Sequence, residues 1–325
     1  AGGNCVMLKP SELAPATATL LAEIVAEAFV PEHVTVVTGG AETGAALLEL
    51  PFATWFYTGG ERVGKLVAAA AAKTLAPVTL ELGGKCPCLL DRGVPLDQSV
   101  ERVVAGKFFN AGQTCVAPDF VLVPREDHEA FVEKALQAIS DSFSGGAAQS
   151  DLARIISTSH YERLRRLLPE GSISVGEDDP ASLHFAPRLV TAAEWESPLM
   201  SEEIFGPILP VLAYDDPEDV LHILRERPAP LALYSFSRNQ SFHDRVMAAI
   251  PSGSVGVNDV MKQATNLNLP FGGVGASGTG RYRGRAGFDC FTYERSVTKR
   301  YFVKDIFLVK PPYGNRLDAL KKFLR

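Results

Sequence analysis

Cysteine is scarce and odd in number, five in 325 residues. That is too few for a disulfide framework, and it favours a reduced, cytoplasmic compartment. Positive charge is in deficit. The net charge of −6 excludes a dedicated nucleic-acid binder, which carries a basic surplus. Long apolar runs are missing. The longest, residues 66–72, falls far short of the roughly 20 that span a bilayer, so no membrane span is expected. No signal-peptide pattern opens the chain. Histidine is limited to six positions, none near Cys115 in sequence. What is present is ordinary globular material: 46% hydrophobic and 22% charged residues, enough for a large core.

Strand and helix signals alternate. Cys5-Val6-Met7-Leu8 reads as a buried strand that starts abruptly, as if upstream chain belonged before it. Ser11 reads as the cap of a helix whose apolar face holds Leu13, Leu20, Leu21, Ile24, Val25, Ala28 and Phe29. Residues 34–37, 53–57 and 78–82 are strand-like, with helical stretches at 41–48 and 61–74 between them. This βαβα rhythm indicates a parallel sheet with helices on its faces. The rhythm repeats later: helical stretches at 100–109, 126–143, 219–227 and 240–250, and strands at 120–123, 209–212, 231–236 and 254–257. Residues 144–146 and 176–180 read as loops. From about Pro270 the chain turns Gly-rich, then basic and aromatic.

Cys115 follows a helix end and precedes a strand, so it lies in a loop among small, polar neighbours. A thiol there is a strong nucleophile once ionised, although a free thiol is more often buried and inert. Cys5, Cys86, Cys88 and Cys290 carry no further signal, and no metal site is expected. Glu81 sits inside an apolar strand followed by Gly83-Gly84. It is either a satisfied structural acid or a base of tuned pKa. Gly59-Gly60 ends a strand and opens a helix, where backbone N–H groups can meet an anion. Lys9 and Glu12 flank another such junction. Gly273-Val274-Gly275-Ala276-Ser277-Gly278 has the letters of a dinucleotide fingerprint. It lacks the preceding strand and reads better as a close-packed loop.

Together these segments resemble the aldehyde dehydrogenases. Glu81-Leu82-Gly83-Gly84-Lys85 is similar to the family's general-base motif, and Phe109-Asn110-Ala111-Gly112-Gln113-Thr114-Cys115 to its nucleophile motif, 34 positions on. Lys9-Pro10-Ser11-Glu12 resembles the adenosine-ribose segment, and Phe56-Tyr57-Thr58-Gly59-Gly60 the phosphate turn. Glu202-Glu203-Ile204-Phe205-Gly206-Pro207 resembles the segment that holds the nicotinamide ribose, and Pro270-Phe271-Gly272-Gly273 a late loop. Ala117-Pro118-Asp119, Val257-Asn258-Asp259 and Gly280-Arg281-Tyr282 leading to Phe291 resemble class 3 members, the branch of fatty, aromatic and coniferyl aldehyde dehydrogenases. Those members usually carry Tyr-His-Gly where this chain has Tyr282-Arg283-Gly284.

The resemblance implies an α/β fold. Residues 1–82 would be the remainder of a doubly wound, parallel NAD(P)-binding domain, incomplete at its N-terminus. Residues 83–276 would be a second α/β catalytic domain, and 277–325 a return segment and oligomerisation arm of a homodimer. The family's oxyanion asparagine would lie upstream of Ala1. The implied reaction oxidises an aldehyde to a carboxylate with NAD or NADP. Cys115 would be the nucleophile and Glu81 the base that hydrolyses the thioester. Around the cofactor the resemblance places Lys9, Glu12, Gly59, Gly60 and Val63, with Leu82, Gly83, Glu203 and Phe205. Glu12 would accept ribose hydroxyls and repel a 2′-phosphate, which favours NAD. Two other readings stand beside this one: a catalytically impaired fragment or structural relative, and a cysteine hydrolase that needs no cofactor.

Overall fold

The computed structural model describes residues 2–143, 150–302 and 317–323. The loop expected at 144–146 and much of the basic tail lie outside the described residues. Contacts group the chain into two units, Ala1–Thr292 and Tyr293–Arg325.

Along the first unit, β1 (Val6–Leu8), α1 (Pro15–Ala28), β2 (Val34–Val36) and α2 (Ala41–Leu47) come first. Then follow β3 (Trp55–Thr58), α3 (Glu61–Thr74) and β4 (Val78–Glu81). The second stretch holds β5 (Pro87–Leu90), α4 (Leu96–Phe108), β6 (Phe120–Pro124), α5 (Arg125–Phe143) and α6 (Thr158–Leu167). It continues with β7 (Ile173–Ser174), β8 (Arg188–Val190), α7 (Pro198–Ser201), β9 (Ile208–Tyr214), α8 (Pro217–Arg225) and β10 (Ala232–Phe236). The last elements are α9 (Gln240–Ala249), β11 (Ser254–Val257), α10 (Lys262–Thr265), β12 (Gly278–Thr279) and α11 (Gly284–Cys290). The second unit contains α12 (Leu317–Phe323). No helix among the described residues is long and apolar enough to cross a membrane.

The fold is α/β and rich in parallel pairing. The large sheet runs β11-β10-β5-β6-β9-β8-β7, parallel except for the β7–β8 pair. Both of its faces are covered, and strand periodicity shows how. Cys88 and Leu90 of β5 and Val121 and Val123 of β6 enter one core, with residues of α4 and α5. Leu89, Phe120 and Leu122 point to the other, with residues of α8 and α9. Successive side chains on a strand face opposite ways, so a strand buried on both sides must be apolar throughout. A smaller sheet, β12-β4-β3, pairs β3 with β4 in parallel and β12 with β4 antiparallel. Strands β1 and β2 form a parallel pair of their own.

That last pair departs from the sequence expectation. Cys5 is exposed, and Val6 keeps 41% of its surface open. On α1 only Ala18 and Val25 are buried, while Leu20 and Ile24 are more than half exposed. The apolar pattern is real, but no described element lies over that face. Ser11 does not cap α1 either. Its Oγ accepts from Leu13 N at 3.2 Å, and the helix begins at Pro15, whose fixed φ and missing N–H suit the first helical position.

Candidate active site

The site forms where the carboxyl end of the small sheet meets the amino end of the large one. Glu81 ends β4, paired with Thr58 of β3 and Gly278 of β12. Cys115 lies in the loop between α4 and β6, and that loop is wound against the usual hand. Asn110, Ala111 and Gly112 have φ of 52°, 53° and 73°. Left-handed backbone is costly for residues with a Cβ, so other groups must hold it. Gln113 does so. Its Nε2 donates to Asn110 O at 3.1 Å and Arg154 O at 3.0 Å, and its Oε1 accepts from Ile156 N at 2.9 Å. Asn110 Nδ2 donates back to Gln113 O at 3.0 Å. At Gly112 a Cβ would overlap the Gly206 carbonyl, so this loop packs backbone to backbone on the segment that carries Glu203.

Cys115 and Glu81 line one cavity of about 240 Å³, with Leu82, Thr58, Thr114, Phe271, Tyr282 and Arg283 among its walls. Glu81 is 3% exposed, and neither carboxylate oxygen has a hydrogen-bond partner. Burial pushes it up to about 7, against the pull of Arg281 and Arg283. The Cys115 thiol is pushed up to about 11 by burial, then by Glu203 and Glu81, while its own backbone N–H and Arg283 pull it down. The surroundings therefore do not lower this thiol at rest. Cys86 and Cys88 are fully buried and held as thiols.

A second cavity, of about 410 Å³, is lined by Gly83, Gly84, Lys85, Glu203, Ser277 and, at the start of α3, Glu61. A Cβ on Gly83 would overlap the Glu203 carboxylate. Glu203 is raised to about 7 by burial and by Asp119, against a hydrogen bond from the Gly84 backbone. Three charged side chains hold its segment. Lys85 Nζ donates to the Asp119 carboxylate, to Leu199 O at 2.8 Å and to Glu202 O at 2.9 Å. Asp119 Oδ1 accepts from Ile204 N at 2.9 Å. From α6, Arg163 donates to Glu203 O at 3.0 Å and Ile204 O at 2.5 Å. Phe205 is thereby kept at a φ of 45°.

The structure thus brings Cys115, Glu81 and Leu82 to one cavity and Gly83 and Glu203 to the other. Gly60 caps α3, and Gly59 N donates to Glu81 O at 2.9 Å. Val63 packs beside the Val67–Leu80–Leu82 cluster. Lys9 and Glu12 line neither cavity; they pair with each other at 3.0 Å. Glu12 is held below the usual carboxylate range by a backbone hydrogen bond and by Lys9. No residue of the six-letter fingerprint opens a helix after a strand; Gly275–Ser277 is a single 3-10 turn.

Sequence reasoning gave no role to Asp119, Lys85, Gln113 or Arg163. The first three stood inside motifs already quoted. Arg163 had a signal of its own: Ser157 caps α6, accepting from His160 N at 3.3 Å, and Tyr161, Leu164 and Leu167 follow at helical spacing. Lys107, 1% exposed, was missed too. Burial draws it down to about 8, with Asp119 opposing.

Residues 1–297 match the model of the aldehyde dehydrogenase family. The chain is 38% identical over 329 residues to 4,4'-diaponeurosporen-aldehyde dehydrogenase of Staphylococcus aureus, covering 100% of this chain and 72% of that one. It is 42% identical over 298 residues to the dimeric NADP-preferring aldehyde dehydrogenase of Rattus norvegicus, covering 91% of this chain and 66% of that one. Among solved structures, the substrate-bound state of Staphylococcus aureus AldH superposes with a TM-score of 0.94 at 38% identity, covering 99% of this chain and 71% of that one. Some relatives are longer still, so that the chain spans 61% of their length. With a match over almost its whole length and a fold in common, the chain belongs to the aldehyde dehydrogenase family.

Proposed function

We propose that the protein oxidises aldehydes to carboxylates with NAD or NADP, through a thioester on Cys115. The observation that carries this reading is the shared cavity, in which an approachable thiol faces a buried carboxylate with both oxygens unsatisfied. A structural acid would have found partners. This one is poised near neutral pH, where a general base works best.

The residues present fit a dinucleotide. Gly60 opens α3 with no side-chain cap, which leaves N–H groups and a positive dipole end for a phosphate. Gly83, lacking a side chain, lets the Glu203 carboxylate lie against the backbone of the cavity wall. Glu203, held through its backbone, would take the hydroxyls of the nicotinamide ribose, and Phe205 would pack beside it. Leu82, Gly59 and Val63 would shape the wall, and Lys9 and Glu12 would meet the adenosine ribose. When bound, NAD or NADP supplies the acceptor for the hydride.

Cys115, once deprotonated, attacks the aldehyde carbon and forms a thiohemiacetal. The Cys115 backbone N–H donates to the oxygen that becomes negative. Oxidation of that carbon leaves a thioester on Sγ. Glu81 then takes a proton from water, which attacks the thioester and releases the acid. Its unpartnered oxygens leave it free to accept that proton. None of the six histidines lines the cavity, so a cysteine hydrolase of Cys–His type has no base there. Assembly as a homodimer, with residues 277–325 as return segment and arm, fits the exposed side chains of Tyr293, Val297 and Tyr301, the kind of surface that an interface covers.

The test is to treat the full protein with an aldehyde and cofactor, quench it, and map the adduct. The acyl group should be on Cys115. Its appearance on Cys86, Cys88 or Cys290 with Cys115 free would sink the mechanism.

A further inference from the structure

The aldehyde cavity contains a cation that the reaction does not use. Arg283 lines it together with Cys115 and Glu81. Its guanidinium is fixed from two directions: Nη1 donates to Ala264 O, and Cζ lies 4.4 Å from the centre of the Phe271 ring. Its backbone stands at φ 77°, ψ 147°. That region is almost reserved for glycine and costs about 1–3 kcal/mol elsewhere. A strained residue at a ligand cavity, with its head group held by stacking, is pre-organised for something. Among the described residues no carboxylate lies within ion-pairing distance of it. Glu81 feels its charge but accepts no hydrogen bond from it. Apart from Glu81, the walls around Arg283 are threonines, Cys115, Tyr282 and apolar side chains, none of which brings a negative charge when protonated. A half-buried guanidinium without a counter-ion favours a ligand that brings one.

From this we infer that Arg283 selects compact aldehydes that also carry a carboxylate. The inference rests on the function proposed above and adds a substrate class to it. Arg283 presents N–H groups that its bond to Ala264 does not use, and a planar fork suits a carboxylate. Because Arg283 and Cys115 share one small cavity, the carboxylate stands only a few bonds from the carbonyl. A long apolar aldehyde would leave the guanidinium unpaired and lose its hydration.

The experiment compares kcat/KM for succinic semialdehyde and for butanal, which differ by one terminal carboxylate. The wild type should prefer the semialdehyde. Arg283→Gln should reduce that preference ratio by on the order of ten- to a hundredfold, the range for a charge-assisted hydrogen bond. Arg283→Lys should retain part of it. Turnover of either aldehyde by the wild type tests the oxidation itself, whereas the ratio tests Arg283. A second readout needs neither cofactor nor turnover: the rates at which iodoacetate and iodoacetamide alkylate Cys115. A change in thiol ionisation alters both rates together. Recognition of the anion changes their ratio, which should fall in Arg283→Gln and persist in Arg283→Lys. A wild type that prefers butanal or longer apolar aldehydes overturns the inference. So does a pair of ratios that Arg283→Gln leaves unmoved.

Discussion

Glu81 and Glu203 are both raised to about 7 by burial, yet they are built in opposite ways. Glu81 stands at a strand end with no hydrogen-bond partner on either oxygen. The Glu203 segment is held by Lys85, Asp119 and Arg163 through its backbone, and Gly84 donates to the carboxylate. A perturbed pKa alone would give both the same role. The hydrogen bonds separate them, and they suit the proposed roles: a general base is left free to gain and lose a proton, and a ligand-holding group is fixed.

The largest effect should come from removing the free one. Glu81→Gln should slow thioester hydrolysis by ~10²–10⁴-fold, the usual contribution of a general base. Rapid-mixing traces should show one burst of reduced cofactor and then a stall. In the wild type, hydrolysis should rise with pH through about 7 and then level off as Glu81 becomes fully ionised. Loss of the burst with normal cofactor binding would give Glu81 an earlier role.

The brace should show itself in stability. Asp119→Asn leaves the Lys85 ammonium buried opposite a neutral amide. Breaking a buried pair from one side costs ~3–5 kcal/mol, readable as a lower midpoint in urea. An unchanged midpoint would mean that the pair contributes nothing net.

Glu203→Gln should divide two rates. Hydride transfer should slow. Alkylation of Cys115 by iodoacetamide should become faster above about pH 7, because the Glu203 carboxylate is one of the groups that raise the thiol. Slower alkylation with intact hydride transfer would reverse the assignment.

The smallest effect is thermodynamic. Glu81 binds its proton more tightly in the folded chain, about 7 against an unperturbed 4.5. The fold therefore loses stability as pH rises from about 4.5 to 7, and no more above that. Glu81→Gln escapes this loss. Its melting temperature should match the wild type near pH 4 and exceed it at pH 8. A gap that is constant with pH would show that the carboxylate is not desolvated in solution.

The sequence made the Cys115 and Glu81 loops legible because glycine, a polar break and an acid in an apolar strand are local signals. It made β6, β9 and β10 legible for the same reason, as short apolar runs, whereas β5, which opens on Pro87, is not among the strands expected from sequence. It could not reveal the brace. Lys85, Asp119 and Arg163 are 34 to 78 positions apart and meet only through the crossovers of the large sheet. Nor could it show that Leu20, Ile24 and Val6 stand exposed, since a periodic pattern reports a face and not what covers it.

The backbone contact between Gly112 and Gly206 has a consequence for redesign. It joins the Cys115 loop to the Glu203 segment without side chains in between, so under the proposed mechanism the spacing of sulfur and cofactor would be a property of the chassis. The cavity walls Met261, Ala264, Phe271 and Arg283 come from other segments, with Ala264 on α10. Exchanging those segments should retune which aldehyde enters while the reacting distance stays as the two glycines set it, and the two could be engineered as separate parts.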